Sequence, residues 1–201
     1  LAIFALFGSW PVPDENEAYY IGKAVNFWTF GTSPDNFMQS ADSHWLFYFA
    51  YGWLGRFLSP VAGAWVGRSV TWAFLAWAWR RMSWAVVPRY WVAPLAAAAF
   101  VTLQSNCDLA GEWVIGGIEG KVPAWGFVFL AIEALARNKW NRVWVLLGIS
   151  SAFHVLVGGW SVVAMMLVWL YTRKEDRPRL RSMLPWLMIG GAISLIGLVP
   201  A

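Results

Sequence analysis

The sequence predicts an all-α protein: a polytopic transmembrane helix bundle with an outer interfacial helix after its first span. Three observations lead there. The chain is 59% hydrophobic, carries 17 tryptophans and is only 13% charged, a composition that a soluble domain of this length rarely has. Apolar runs recur along its whole length between short polar stretches. The charges also sort by sign. Asp14, Glu15, Glu17, Asp35 and Asp42 accompany Lys23 alone in the first polar region, and Asp108, Glu112 and Glu119 accompany Lys121 in a second. Basic residues collect elsewhere, as Arg80, Arg81 and Arg89, then Arg137, Lys139 and Arg142, then Arg173, Lys174, Arg177, Arg179 and Arg181. By the positive-inside rule the basic loops are cytoplasmic and the acidic loops lie across the membrane.

Several classes are excluded. The basic runs are short and flank hydrophobic spans, so they report topology and not a nucleic-acid partner. Cys107 is the sole cysteine, which leaves neither an internal disulfide nor a thiolate metal cluster. No repeat or soluble domain interrupts the pattern, so residues 1–201 read as one membrane domain. Its apolar beginning and end read as those of a fragment.

Taken in order, Leu1 to Trp10 is the tail of a first span, closed by Pro11-Val12-Pro13. The next stretch, Pro13 to Trp28, organises the rest. Ala18, Ile21, Val25 and Trp28 recur at helical spacing and predict an apolar stripe laid on the bilayer, with Glu15, Tyr19 and Lys23 at i, i+4 on another face. Asp14 is a good helix cap, and Glu17 three residues on completes a capping box; cap and site can coexist at Asp14. Glu15 is not needed for the cap. Gly31 to Asn36 is a turn cluster, and Asp42 reads first as a cap before another apolar run.

Trp45 to Trp79 must cross once to connect an outer Asp42 with an inner Arg80, yet Pro60 divides it. The resolution is a full span over 61–79 and a short, aromatic, partly embedded helix over 45–58. Arg68 falls inside the span, where it is either paired within the bundle or faces an aqueous cavity. Residues 90–104 return outward. The stretch from Ser105 to Lys121 holds four glycines, three carboxylates and a lysine, a composition able to bring backbone amides and a cation to an anion such as a lipid phosphate. Residues 122–136 go inward, with Glu133 and Arg137 forming an i, i+4 ion pair. Residues 143–171 start and end at basic loops, which demands a hairpin of two helices broken near His154 to Gly159. His154 there is either a buried side chain bonded to a carbonyl or a general acid or base that can also bind phosphate. Residues 184–199 head outward.

The acidic side therefore gathers Asp14, Glu15, Glu17, Asp35, Asp42, His44, Asp108, Glu112, Glu119, Lys121 and His154. A carboxylate that deprotonates an acceptor, beside a cation or histidine that stabilises a phosphate leaving group, suits glycosyl transfer from a lipid-phosphate sugar.

Short motifs add a resemblance. Pro13-Asp14-Glu15 and Tyr19-Tyr20 after an apolar helix, then Phe47-Tyr48 and Gly67-Arg68, resemble the N-terminal half of the GT-C membrane glycosyltransferases. Ala110-Gly111-Glu112-Trp113-Val114-Ile115-Gly116-Gly117 and Ser151-Ala152-Phe153-His154-Val155-Leu156-Val157-Gly158-Gly159 are similar to a bacterial group of multi-pass proteins with that layout. The resemblance implies a multi-pass protein of a bacterial inner membrane that moves a sugar from a polyprenyl-phosphate donor to an acceptor at the extracytoplasmic face. It implies a catalytic base at Asp14 or Glu15, with donor binding by Tyr19, Asp42, His44, Arg68, Glu112, Glu119, Lys121 and His154. In some members carboxylates of the second outer loop hold a divalent cation (Mg or Mn), which here implies Asp108 or Glu112. The expected partners are the lipid-linked donor and membrane lipids. The rival expectation is a transporter or a non-catalytic lipid-handling or assembly scaffold, using the same broken helices, Arg68 and outer acids.

Overall fold

A computed structural model describes residues 1–14, 16–31, 33–40, 44–107 and 113–199. Ten α-helices follow one another among them, with no strand: α1 (Ala2–Gly8), α2 (Glu17–Trp28), α3 (Asn36–Gln39), α4 (Trp45–Tyr51), α5 (Pro60–Val86), α6 (Val92–Asn106), α7 (Lys121–Ala136), α8 (Trp140–Phe153), α9 (Val155–Tyr171) and α10 (Leu180–Leu198). A 3-10 turn, Gly52–Arg56, extends α4.

The long helices form the frame. Helix α5 has 27 residues, about 40 Å of length; Ser59 caps it by accepting from the Ala62 amide, and Pro60 needs no amide partner in its first turn. Helix α7 lies between α5 and α8, and α8 packs in turn on α9 and α10. The α8–α10 approach is close because glycines meet. A Cβ on Gly148 would stand 2.3 Å from the Gly190 carbonyl oxygen, and one on Gly197 2.7 Å from that of Ser151, so the backbones approach as only glycine allows. Phe4, Trp72, Leu75, Trp79 and Phe129 fill the space between α1, α5, α6 and α7. Val128, Val143, Trp144, Leu147 and Met183 fill that between α7, α8 and α10.

One helix, Leu180–Leu198, is long and apolar enough to cross a membrane, and Val155–Tyr171 is a shorter apolar one. Both leave large apolar side chains outside the core, Trp160 72% and Met188 67% exposed among them. The hairpin break falls at His154, as the charge pattern demands, although Gly158 and Gly159 lie inside α9. Gly158 is small for packing: a Cβ there would meet the Ser151 amide at 2.2 Å. The short aromatic helix before Pro60 is present as α4 and its 3-10 turn. Helix α5, by contrast, runs past Arg80 and Arg81 to Val86.

The face of α2 that enters the fold carries Glu17, Tyr20, Lys23 and Ala24, while Ala18 of the stripe expected on the bilayer is exposed. The buried face is partly ionic because Glu17 has a cation to meet. One expectation needs correction: from Val114 onward the second acidic stretch is not an outer loop, since residues 114–124 are buried without a break.

Candidate functional site

The site is built around the buried segment from Val114 to Lys121, which enters the bundle without regular structure as far as Gly120 and starts α7 at Lys121. Such a segment must satisfy its amides and carbonyls by other means, and side chains supply several of the partners. The Gln104 side chain accepts from the Val114 amide and donates to the Ile115 carbonyl, both at 3.3 Å. Trp72 Nε1 donates to the Gly116 carbonyl at 3.1 Å. The Gly117 amide donates to Asp14 Oδ2 at 3.0 Å and the Ile118 amide to Glu17 Oε1 at 2.8 Å. The glycines allow this closeness: a Cβ on Gly117 would meet Asp14 Cβ at 2.9 Å, and one on Gly120 the Phe153 carbonyl oxygen at 2.7 Å.

Glu17 ties the segment to α5. Arg68 Nε donates to Glu17 Oε1 at 2.7 Å and Nη2 to Oε2 at 2.6 Å, both side chains being fully buried. The remaining guanidinium nitrogen, Nη1, donates to the Trp10 carbonyl at 2.6 Å. Glu17 Oε2 also accepts from the Asp14 amide at 3.0 Å. Burial alone raises the Glu17 pKa, but the Arg68, Ile118 and Asp14 donors outweigh it and hold the carboxyl below its usual range. Arg68 is therefore paired within the bundle. The capping box is half realised: the Glu17 return bond forms, Asn16 occupies the cap position, and the Asp14 carboxylate turns to Gly117.

Beyond Gly117 lies a second group. Glu119 is fully buried. Its carboxylate accepts no hydrogen bond within normal geometry, and Lys121 Nζ stands 3.4 Å away. Burial, opposed by Lys121 and helped by the charges of Asp14 and Glu17, pushes its pKa up to about 7. Lys121 Nζ also sits 3.7 Å from the centroid of the Trp113 ring. On the other side of the segment, His44 and His154 lie with ring centroids 5.4 Å apart, and the Tyr20 hydroxyl is 3.3 Å from His44 Nε2. His154 Nδ1 accepts from the Val157 amide and so caps α9. That bond leaves the proton of the neutral ring on Nε2. Burial, with His44 and Lys121 nearby, drives the His154 pKa down to about 4, so the ring is neutral at pH 7.

Asp14, Arg68, Glu119, Lys121, His44 and His154 thus converge on one segment. The Tyr19 ring lies 5.2 Å from that of Phe37 in α3 and 5.2 Å from that of Tyr20, whose hydroxyl reaches His44. Glu15, Asp42, Asp108 and Glu112 lie outside the described residues. Among the described residues no group of three or more His, Cys, Asp or Glu side chains is placed to hold a metal ion. Sequence reasoning missed the bond of Glu17 to Arg68 and the bond of Tyr20 to His44. A signal existed for the first, since an arginine inside an apolar run needs a carboxylate and Glu17 stood in a nearby polar stretch. Compared with protein-family models, curated proteins and solved structures, the chain matches none.

Proposed function

We propose that the chain is a polytopic protein of a bacterial inner membrane that transfers a sugar from a polyprenyl-phosphate-linked donor at its extracytoplasmic face. The observation that carries this reading is the convergence of carboxylates, Lys121 and two histidines on one segment, at the end of the bundle away from the basic clusters. The exposed apolar faces of α9 and α10 suit the polyprenyl chain, and the carboxylates and Lys121 at the segment suit a polar head group. Asp14 or Glu15 takes the proton of the acceptor. Lys121 and the neutral Nε2–H of His154 serve the leaving phosphate. A divalent cation, Mg or Mn, would enter through Asp108.

The test is transfer of labelled sugar from a polyprenyl-phosphate pool in membranes carrying the full-length protein. Wild type is compared with the Asp14→Asn/Glu15→Gln double variant at matched expression. Asparagine keeps an acceptor for the Gly117 amide, so the fold is retained while the base is lost. Transfer by wild type alone is expected. Equal transfer by both would remove the assigned base, and transfer by neither would remove the activity.

The scaffold reading is favoured by one observation, that Asp14 and Glu17 both accept backbone amides of the buried segment. It expects the double variant to fold like wild type, with no transferase activity in either. The transporter reading is weakened, because the Arg68 charge it needs along a path is neutralised by Glu17.

A further inference from the structure

The opposite end of the bundle holds a groove of about 600 Å³ between α5, α7, α8 and α10. Its floor is apolar, with Leu130, Val145 and Leu146, and Trp77 and Trp186 stand at its walls. Arg81 and Arg142 reach it from two sides. Neither guanidinium is fully engaged by the fold. Arg142 is exposed and makes no side-chain hydrogen bond or ion pair among the described residues. Arg81 gives Nη2 to Glu133 at 3.0 Å, while its Nε is buried without a partner. Glu133, the acid in the groove, is answered twice, since Arg137 Nε also binds it at 2.6 Å. An adjoining cleft adds Arg80 and Arg137 beside Trp77, Trp84 and Tyr90. The end is therefore cationic at its rim and apolar beneath, with aromatic rings between, the order of layers that a phospholipid presents in reverse.

We propose that this groove binds an anionic phospholipid of the cytoplasmic leaflet, its phosphate between Arg81 and Arg142 and an acyl chain along Leu130, Val145 and Leu146. Charge complementarity selects the anionic head group, and the apolar floor selects a lipid over a free phosphate. The assignment rests on the membrane orientation proposed above and is independent of sugar transfer.

The test takes the full-length protein in nanodiscs of phosphatidylcholine doped with phosphatidylglycerol, and counts the lipid it retains by native mass spectrometry. Wild type is expected to retain phosphatidylglycerol in preference to phosphatidylcholine. Arg142→Gln removes one surface charge and should lower that retention about fivefold. Val145→Trp keeps every charge but fills the groove, and should abolish it; if this variant unfolds, Arg142→Gln decides alone. Lys174→Gln, an equal charge change on an exposed residue outside the groove, should leave it unchanged. No preference in wild type, or an equal fall with Lys174→Gln, would overturn the site. Sugar transfer measured on the same nanodiscs separates the two proposals: intact transfer without lipid retention removes only the groove, and retention without transfer removes only the activity.

Discussion

The two ends of the bundle each hold ion pairs, and they differ in what surrounds them. At the acidic end, Glu17 and Arg68 are fully buried and bonded at every turn to backbone as well as to each other. At the basic end, Glu133 meets Arg81 and Arg137, whose side chains are 41% and 43% exposed. A buried pair is costly to assemble and costlier to break, because removing one member leaves a charge with no solvent. An exposed pair trades its partner for water at little cost. The first kind fixes where chain segments go; the second leaves charge available to something outside the protein.

The largest effect should come from breaking the buried pair on one side. Arg68→Met strands the Glu17 carboxylate and should lower stability by about 3–5 kcal/mol. Glu17→Gln/Arg68→Met should recover much of that loss, because no unpaired charge then remains. Denaturation of the purified protein in detergent, run as a double-mutant cycle, measures both. A double variant as damaged as the single would mean that Arg68 acts through its bond to the Trp10 carbonyl instead.

Two groups at the same end should make stability depend on pH, with opposite signs. The Glu119 pKa rises from an ordinary 4.5 to about 7. The folded protein therefore holds this proton more tightly than the unfolded chain, and stability present below pH 4.5 is lost as pH rises to about 7. His154 falls from 6.5 to about 4, so its contribution is present above pH 6.5 and lost as pH falls to about 4. Each shift corresponds to about 3 kcal/mol. Between pH 4.5 and 6.5 the two slopes oppose each other. Glu119→Gln should leave stability rising with pH up to 6.5, whereas His154→Asn, which keeps an acceptor for the Val157 amide, should leave it falling up to about 7. Unfolding midpoints across this range distinguish the variants. Parallel curves for both would show that neither shift exists.

A smaller loss is expected where the buried segment passes His44. Gly120→Ala puts a Cβ 2.7 Å from the Phe153 carbonyl oxygen and 2.9 Å from His44 Cδ2. A backbone oxygen cannot swing aside as a side chain can, so the chain must shift, at about 1–3 kcal/mol. Gly191→Ala, with open space around it, is the matched control and should cost nothing measurable. The same measurement applies, and equal losses would mean that Gly120 has more room than its neighbours imply.

The two ends also differ in how far they could be read from the sequence. The basic end was legible, because charge sign along the chain places Arg81, Arg137 and Glu133 together, and the Glu133–Arg137 pair needs only the i, i+4 rule. The hairpin at His154 followed from the same parity. The acidic end was legible only as a collection. Apolar periodicity finds a stripe through Ala18 and Ile21 that suits a bilayer, but it does not find the face that enters the fold, where Glu17 and Tyr20 are buried. A pattern that equates burial with apolarity cannot see a face buried by ion pairing across 51 positions of sequence. The segment from Val114 to Lys121 reads as part of an outer, anion-binding loop because its glycines, acids and lysine suit one. Its burial depends on acceptors and donors supplied by Asp14, Glu17, Trp72 and Gln104, which no local rule reveals.

The smallest effect should be at the basic end. Arg137→Gln removes a guanidinium 43% exposed and leaves Glu133 with Arg81 at 3.0 Å. The Glu133 side chain is 5% exposed, so its need for a cation is real, but a second one is already in place. The loss should stay under about 1 kcal/mol and shrink further in high salt. Arg81→Gln should behave alike, with Arg137 remaining. Only the Arg81→Gln/Arg137→Gln double variant strands Glu133, and its loss should exceed the sum of the singles. Salt-dependent unfolding of the three variants checks this. A single substitution here as damaging as Arg68→Met would erase the distinction between the two ends.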